Sequence, residues 1–128
     1  MTERDEIRQS FAKMTLDWLR DSGHAEAIND DGTVSVFHGT SRKNAAGIRA
    51  SNRFDGYPFF AVDRETAERY SRQAGGPTEV LSLRVDPAVV IPTNGYMTAR
   101  VSGLSLQEDG SWSADEEAPH LQETSPSP

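Results

Sequence analysis

The sequence predicts one α+β domain, and three features of the chain predict it. Helical and strand patterns alternate in the first half, and several further strand patterns follow in the second half. A chain of 128 residues can bury one hydrophobic core, and it contains no cysteine that would indicate a disulfide framework. No stretch approaches the roughly 18 apolar residues that a membrane-spanning helix requires, so no membrane partner is expected.

The helices are predicted from apolar spacing and from capping residues. One face of the first helix carries the apolar side chains Ile7, Phe11, Met14 and Trp18. Ser41 and Asp63 are typical N-caps for the second and third helices, and Gly23 is typical of the end of the first. The helices are therefore expected at about residues 2–22, 42–50 and 64–73.

The strands are predicted where apolar or alternating residues lie between turn signals. They are expected at residues 33–38, 58–62, 79–85 and 88–91, with one or two more within 96–106. Asp109–Gly110 is typical of a hairpin turn, and Trp112 is expected to pack back onto the domain. Residues 52–57 are expected to form a loop in which Arg53 and Asp55 close over a pocket.

The net charge of −7 is unevenly distributed along the chain. The part from Gln107 onward carries six acidic residues and no Lys or Arg, which leaves the preceding part almost neutral. Bulk nucleic-acid binding is therefore not expected, because it usually requires a basic face. Residues 113–128 are acidic and then rich in Ser and Pro, so we expect a disordered tail after a domain at 1–112.

The start of the chain is charged and lacks the apolar region of a secretory signal. We therefore expect a cytoplasmic protein, although delivery into another cell as an effector stays open. No metal site is expected, because His24, His38 and His120 do not have the spacing of metal ligands.

The first part of the candidate site is the end of the strand at His38. Gly39, Thr40 and Ser41 follow, and such small residues let backbone approach a ligand closely. Free amides at the start of the second helix would suit a phosphate, as would Arg42 beside them. Two alternatives stay open, namely a histidine that merely ends a strand and a basic helix face that is merely solvated.

The second part of the candidate site is an aromatic strand followed by a tyrosine on the next helix. The spacing of Phe59 and Tyr70 lets the strand and the helix present both rings to one cleft. Two such faces would sandwich a flat heteroaromatic ring such as nicotinamide. The alternative is that these rings belong to the core, which is the favoured interpretation for Phe60.

These residues together resemble the NAD-binding half of the ADP-ribosyltransferase fold, over about residues 34–85. The similarity is to the diphtheria-toxin-like and poly(ADP-ribose)-polymerase-like branch, whose signature is His, Tyr and Glu. It is carried by Val36–Ser41, Ala45, Ile48, Phe59–Ala61, Ala67 and Tyr70. The resemblance implies a small split β-sandwich, with an N-terminal helix and two short helices flanking an NAD cleft. It also implies transfer of ADP-ribose from NAD to a protein or small-molecule acceptor.

The resemblance implies a role for each matching residue. His38 would hydrogen-bond the adenosine ribose, and Gly39 would hold the nicotinamide amide through its backbone. Thr40 would lie near the adenosine, while Tyr70 would stack on nicotinamide with Phe59 as the second aromatic. The remaining residues of the expected NAD site are Ser41, Arg42, Phe60, Ala61 and Ala67. Ala67 stands where many relatives have a serine.

The catalytic glutamate of that family has no counterpart at the expected place. The matching strand, at about residues 96–101, contains no acidic residue. Glu108 is the first candidate for this role and Glu79, on an earlier strand, is the second. For each of them, a solvated surface charge is the alternative.

The sequence is therefore compatible with four functions. The first is an ADP-ribosyltransferase with His38, Tyr70 and Glu108 as catalytic residues. The second is a non-catalytic module that binds NAD or ADP-ribose, and the third is a purely structural interaction domain. The fourth is an RNA 2′-phosphotransferase-like enzyme, for which the basic residues would be Arg42, Lys43, Arg49 and Arg53.

Overall fold

The computed structural model describes residues 3–73, 75–93 and 96–114. Within them the α-helices are α1 (Glu3–Asp21), α2 (Arg42–Ser51) and α3 (Arg64–Arg72). Single 3₁₀ turns lie at Ala25–Ala27 and Pro87–Val89. The first four strands are β1 (Val34–Ser41), β2 (Arg53–Phe54), β3 (Phe59–Ala61) and β4 (Thr78–Val85). The last four are β5 (Val90–Thr93), β6 (Tyr96–Ala99), β7 (Leu104–Leu106) and β8 (Trp112–Ser113).

The predicted α+β class is confirmed, and the described strands form one mixed sheet in the order β2-β7-β8-β4-β1-β3-β6-β5. β1 lies inside the sheet and pairs antiparallel with β4 over its whole length, from Val34–Val85 to Ser41–Thr78. This long pairing carries β1 three residues past His38, where the sequence predicted its end. Gly39, Thr40 and Ser41 are therefore strand residues.

Two other segments differ from the sequence prediction. The predicted strand 88–91 is partly wrong, because residues Pro87–Val89 form a 3₁₀ turn and β5 begins only at Val90. The turn is fixed by Asp86, whose side chain accepts a hydrogen bond of 2.9 Å from the Ala88 amide. The predicted loop 52–57 contains the short strand β2, which pairs with β7.

The hydrophobic core lies on the side of the sheet that faces α1. It includes aromatic residues of β2, β3 and β8. Its largest fully buried side chains include Phe60, Leu19, Met97 and Leu104. Phe60 is thus a core residue, as favoured from the sequence. Trp112 is also buried and packs 5.0 Å, centroid to centroid, from the Phe54 ring, which confirms that it packs back onto the domain.

The first helix and the last strand meet at one carboxylate. Asp86 forms an ion pair with Arg8 of α1. It also accepts a hydrogen bond of 2.9 Å from the Ser113 hydroxyl of β8. Ser113 and Ala114, the first residues of the expected tail, are buried, and the rest of that tail lies outside the described residues.

None of the helices in the described ranges combines the length and the apolar character that crossing a bilayer requires.

A close backbone approach joins β1 to α3 at Gly39. A Cβ atom added at Gly39 would lie 1.9 Å from the carbonyl oxygen of Ala67 and 3.1 Å from Cβ of Ser71. Ala67 and Ser71 are themselves almost completely buried. Glycine is therefore required at this position because only a residue without a side chain lets α3 lie this close to β1.

We expect Gly39→Ala to lower the free energy of unfolding by about 3 kcal/mol or more, because backbone rather than a flexible side chain blocks the new methyl group. Chemical denaturation monitored by circular dichroism measures this loss. The matched control is Gly47→Ala in α2, where the added Cβ would meet no described atom within 4 Å beyond the neighbouring backbone of its own helix. It should stabilise the helix by about 0.5–1 kcal/mol. A Gly39→Ala protein as stable as the wild type would contradict the close packing of α3 on β1.

Candidate functional site

The candidate site lies where β1 and β3 diverge. These strands pair at a single position, Phe37 with Ala61, whereas β1 continues to Ser41. The edge of β1 from His38 onward is therefore not paired with β3. A cavity of about 700 Å³ opens here, between this part of β1, α2 and the segment 53–59. Its volume lies within the roughly 300–1,000 Å³ that is typical of small-molecule sites.

His38 occupies the point of divergence and bridges the two strands. Its Nδ1 lies 2.9 Å from the backbone carbonyl oxygen of Phe59. A carbonyl only accepts hydrogen bonds, so Nδ1 carries the proton in this contact. In the neutral ring Nε2 is then a hydrogen-bond acceptor, and it has no hydrogen-bond partner among the described residues.

The surroundings of His38 favour this neutral form. The ring is partly buried and makes edge contacts with Phe54 and Phe60, at centroid distances of 4.9 and 5.9 Å. Burial lowers the pKa of His38 below the ordinary value of 6.5, and the hydrogen bond to Phe59 offsets only part of this effect. At neutral pH the site therefore presents an imidazole lone pair rather than a positive charge.

The other walls of the cavity are polar on one side and aromatic on the other. Thr40 of β1 and Lys43 of α2 line the polar side, and Tyr57 contributes an aromatic wall that is half exposed. Arg53 and Asp55, which the sequence predicted to close over a pocket, both line the cavity. Arg53 Nε lies 3.9 Å from Asp55 Oδ1, so the two charges partly compensate each other.

The start of α2 is less available to an anion than the sequence implied. The Ser41 hydroxyl accepts a hydrogen bond of 3.1 Å from the Asn44 amide, which confirms Ser41 as the N-cap. The Arg42 amide donates to the carbonyl of Pro77 at 2.9 Å. The Arg42 side chain is exposed and is not among the described residues that line the cavity. Lys43 is therefore the cation of this helix that best fits a phosphate inside the cavity.

The aromatic residues form a group beside the cavity. The rings of Phe59 and Tyr70 lie 4.5 Å apart, centroid to centroid, and are inclined at 67°. Tyr96 of β6 contacts both of them, at 5.9 and 6.1 Å. The Phe59 ring also lies 6.4 Å from His38. Phe59 thus connects the two residues on which the resemblance depends.

His38 and Tyr70 nevertheless line different cavities. His38 lies in the wall of the large cavity, whereas Tyr70 lines one of about 280 Å³ with Thr66 and Arg69 of its own helix and with Gln73 at the end of that helix. Phe59 lies between them and lines the large cavity. The two rings therefore flank Phe59 and do not face each other across an open groove.

The remaining expected NAD-site residues serve packing in this structure. Ala61 and Ala67 are 2% and 1% exposed and Phe60 is completely buried, so none of them offers a surface to a ligand. The space beside Gly39 that a side chain would occupy is filled by the backbone of α3.

The two candidate carboxylates lie at different places. Glu108 is exposed in the turn between β7 and β8. Glu79 of β4 lies opposite Thr40, and therefore on the face of the sheet that also carries His38. Glu79 forms an ion pair with Arg49 of α2 and lines a smaller cavity, of about 320 Å³, beside α3. Of the two, only Glu79 lies on a strand that is paired with β1.

Three residues of the site were not identified from the sequence. Phe54 was expected in a loop, and its contact with His38 depends on the pairing of β2 with β7, which is too short to give a strand pattern. Tyr57 belongs to the same segment. Tyr96 was identified only as the start of a strand, and its place beside Phe59 follows from the pairing of β3 with β6. The only feature of the sequence that pointed to Tyr96 was an aromatic residue at the start of a predicted strand.

Comparisons of the chain with protein-family models, with curated proteins and with solved structures found no match in any of the three. Among the described residues there is also no group of three or more His, Asp or Glu side chains that could hold a metal ion. The cavity and its side chains are therefore the features that indicate a function.

The lowered pKa of His38 predicts a pH-dependent stability. The unfolded chain binds a proton at this histidine more readily than the folded chain, so acid favours unfolding. The stabilisation is fully present above pH 6.5, the ordinary histidine value. It is lost as the pH falls from there toward the lower pKa of the folded state.

Urea denaturation between pH 7.5 and pH 5 measures this loss, and His38→Asn is the matched variant. Asparagine keeps an N–H donor for the Phe59 carbonyl but does not titrate, so this part of the pH dependence should disappear. An unchanged pH profile in His38→Asn would assign the effect to another group.

Proposed function

We propose that this chain binds NAD in the large cavity and cleaves its nicotinamide–ribose bond, transferring ADP-ribose to an acceptor. The observation that carries the proposal is His38 in the wall of this cavity, with Nδ1 held by Phe59 and Nε2 left as an acceptor. A ribose hydroxyl is a suitable donor to such a nitrogen. We also propose that the sheet is split as in the ADP-ribosyltransferase fold. The divergence of β1 and β3 supports this part of the proposal.

The charges around the cavity support a ligand that carries phosphate. Lys43 and Arg53 line it, and Asp55 is the acidic residue among the lining side chains. Of the two cations, Lys43 is in no ion pair within residues 3–73, 75–93 and 96–114, so its ammonium group is available to a pyrophosphate. Tyr57 and Phe59 add aromatic surface on which a base could stack.

The proposed reaction breaks the bond between C1′ of the ribose and the nicotinamide nitrogen. The bonding electron pair leaves with nicotinamide, which becomes neutral, and the ribose becomes an oxocarbenium-like cation. An acceptor nucleophile then bonds to C1′ and releases a proton. A carboxylate beside the ribose would stabilise the developing positive charge, as in glycoside hydrolysis.

Glu79 is the residue that we assign to this role. It shares the face of His38 and Thr40, and residues placed diagonally across two paired strands lie about 7–8 Å apart, within reach of a glutamate side chain. Its carboxylate must first leave Arg49, with which it is paired in the free protein. Glu108 is less suitable because it lies in the exposed turn after β7.

A second candidate function is binding of NAD or ADP-ribose without turnover. The specific observation in its favour is the ion pair between Glu79 and Arg49, which neutralises the carboxylate that the reaction needs. An RNA 2′-phosphotransferase receives less support. Of the four basic residues considered for it, only Lys43 and Arg53 line the cavity.

The test is release of nicotinamide from NAD, measured by chromatography with purified protein and candidate acceptors. Glu79→Gln should lower the rate by about 100-fold or more, because it removes the charge that stabilises the transition state. Glu108→Gln is the matched control and should retain the wild-type rate. A loss confined to Glu108→Gln would assign the carboxylate to that residue instead.

Two further variants separate the candidate functions. His38→Ala and Tyr70→Ala should each weaken NAD binding by about tenfold, because each removes one hydrogen bond or one ring contact. Binding that depends on both residues, together with no nicotinamide release under any condition, would establish the non-catalytic module. Binding and release that are both unaffected by both variants would place the site elsewhere.

A further inference from the structure

We propose that Phe59, Tyr70 and Tyr96 form an aromatic slot that is closed in the free protein, and that a nicotinamide ring enters only when this slot opens. The inference rests on the proposed function, since it concerns how NAD is distinguished from ADP-ribose in the same site. It makes Tyr96 a specificity-determining residue, a role that its position in the sequence did not indicate.

The distances show that the slot has no space for a ligand ring. Non-bonded carbon atoms pack about 3.5–4.0 Å apart, so a ring stacked between two others requires their centroids to be at least about 7 Å apart. The Phe59 and Tyr70 centroids are separated by 4.5 Å, and their planes are inclined at 67°. To sandwich a ligand, the two rings must both separate and rotate toward parallel.

Tyr96 holds the closed arrangement from a third side. Its ring makes tilted contacts with Phe59 at 5.9 Å and with Tyr70 at 6.1 Å. All three centroid distances fall within the 4.5–7 Å range of favourable aromatic pairs. Separating one such pair costs roughly two- to tenfold in an equilibrium constant, so opening the slot reduces the affinity for any ligand that requires it.

The ADP-ribose part of NAD does not require the slot. The cavity that contains His38 lies on the other side of Phe59 and has a volume of about 700 Å³ in the same structure. ADP-ribose is therefore expected to bind with the three rings in their resting positions. NAD makes the same contacts and must in addition separate Phe59 from Tyr70.

Fluorine labels on the tyrosines can report which parts of the site each ligand contacts. The chain contains three, Tyr57, Tyr70 and Tyr96, of which Tyr57 lines the large cavity and the other two belong to the slot. Replacing all of them with 3-fluorotyrosine gives three fluorine resonances, which single Tyr→Phe variants assign. ADP-ribose should shift the Tyr57 resonance alone, whereas NAD should shift all three.

The outcomes separate failure of the inference from failure of the proposed function. If neither ligand shifts the Tyr57 resonance, the proposed function fails. If ADP-ribose shifts Tyr70 and Tyr96 as strongly as NAD does, or if NAD shifts Tyr57 alone, the proposed function stands and the closed slot is wrong. Shifts that drift from the NAD pattern to the ADP-ribose pattern would report turnover.

A pair of substitutions tests the contribution of Tyr96 to affinity. Tyr96→Leu keeps apolar bulk but removes both ring contacts, so the affinity for NAD should rise roughly two- to tenfold relative to that for ADP-ribose. Tyr57→Leu is the matched control, and it should change both affinities by the same factor because both ligands occupy the large cavity. Calorimetry measures the six affinities, those of NAD and of ADP-ribose for the wild type and for both variants. An NAD to ADP-ribose ratio that is the same in Tyr96→Leu and in the wild type would overturn the role of Tyr96.

Discussion

The hydrogen bond between His38 Nδ1 and the Phe59 carbonyl is the interaction on which the arrangement of the site depends. Past Phe37 and Ala61 the two strands no longer share a ladder, and this side chain makes the connection that backbone groups make elsewhere in the sheet. A carbonyl that is partly withdrawn from water at a strand end is stabilised by a hydrogen-bond partner. The imidazole supplies it and is thereby fixed in one tautomer, beside the space that the diverging strands enclose.

The packing of α3 on β1 complements this interaction from the opposite face. Gly39 lets the helix approach until its backbone nearly touches the strand, and the helix then carries Tyr70 to the ring of Phe59. Two neighbouring residues of one strand thus position the two halves of the site. His38 points to the core side, where the cavity lies, and Gly39 admits the helix that carries the aromatic ring.

Much of this fold could be predicted from local sequence patterns. The presence of the helices, their caps Ser41 and Asp63, and the long strand β4 follow from apolar spacing and capping chemistry. The predicted apolar face of α1 is only partly correct, because Met14 is exposed. The full length of β1 could not be predicted, because its last residues form a strand only through pairing with β4. The same holds for β2, since a strand of two residues leaves no pattern in the sequence.

The candidate site, like the fold, could be predicted from the sequence only in part. Of the predicted group, His38 and Tyr70 each lie beside Phe59. They line different cavities, so the single cleft expected between them is not formed. Sequence spacing could not show whether the rings are apart or in contact, because that depends on how β3, β6 and α3 pack. For the same reason it gave no indication of Phe54 or Tyr96.

The meeting of Arg8, Asp86 and Ser113 has a consequence for how the chain is made. Arg8 is separated from Asp86 by 78 positions and from Ser113 by 105, so both contacts are among the most distant in the sequence. On the ribosome the first helix emerges long before either partner has been synthesised. Such non-local contacts form late and slowly. The apolar face of α1 packs mainly on the 3₁₀ turn at Pro87–Val89, so it too stays without its principal native partner until most of the domain has been synthesised.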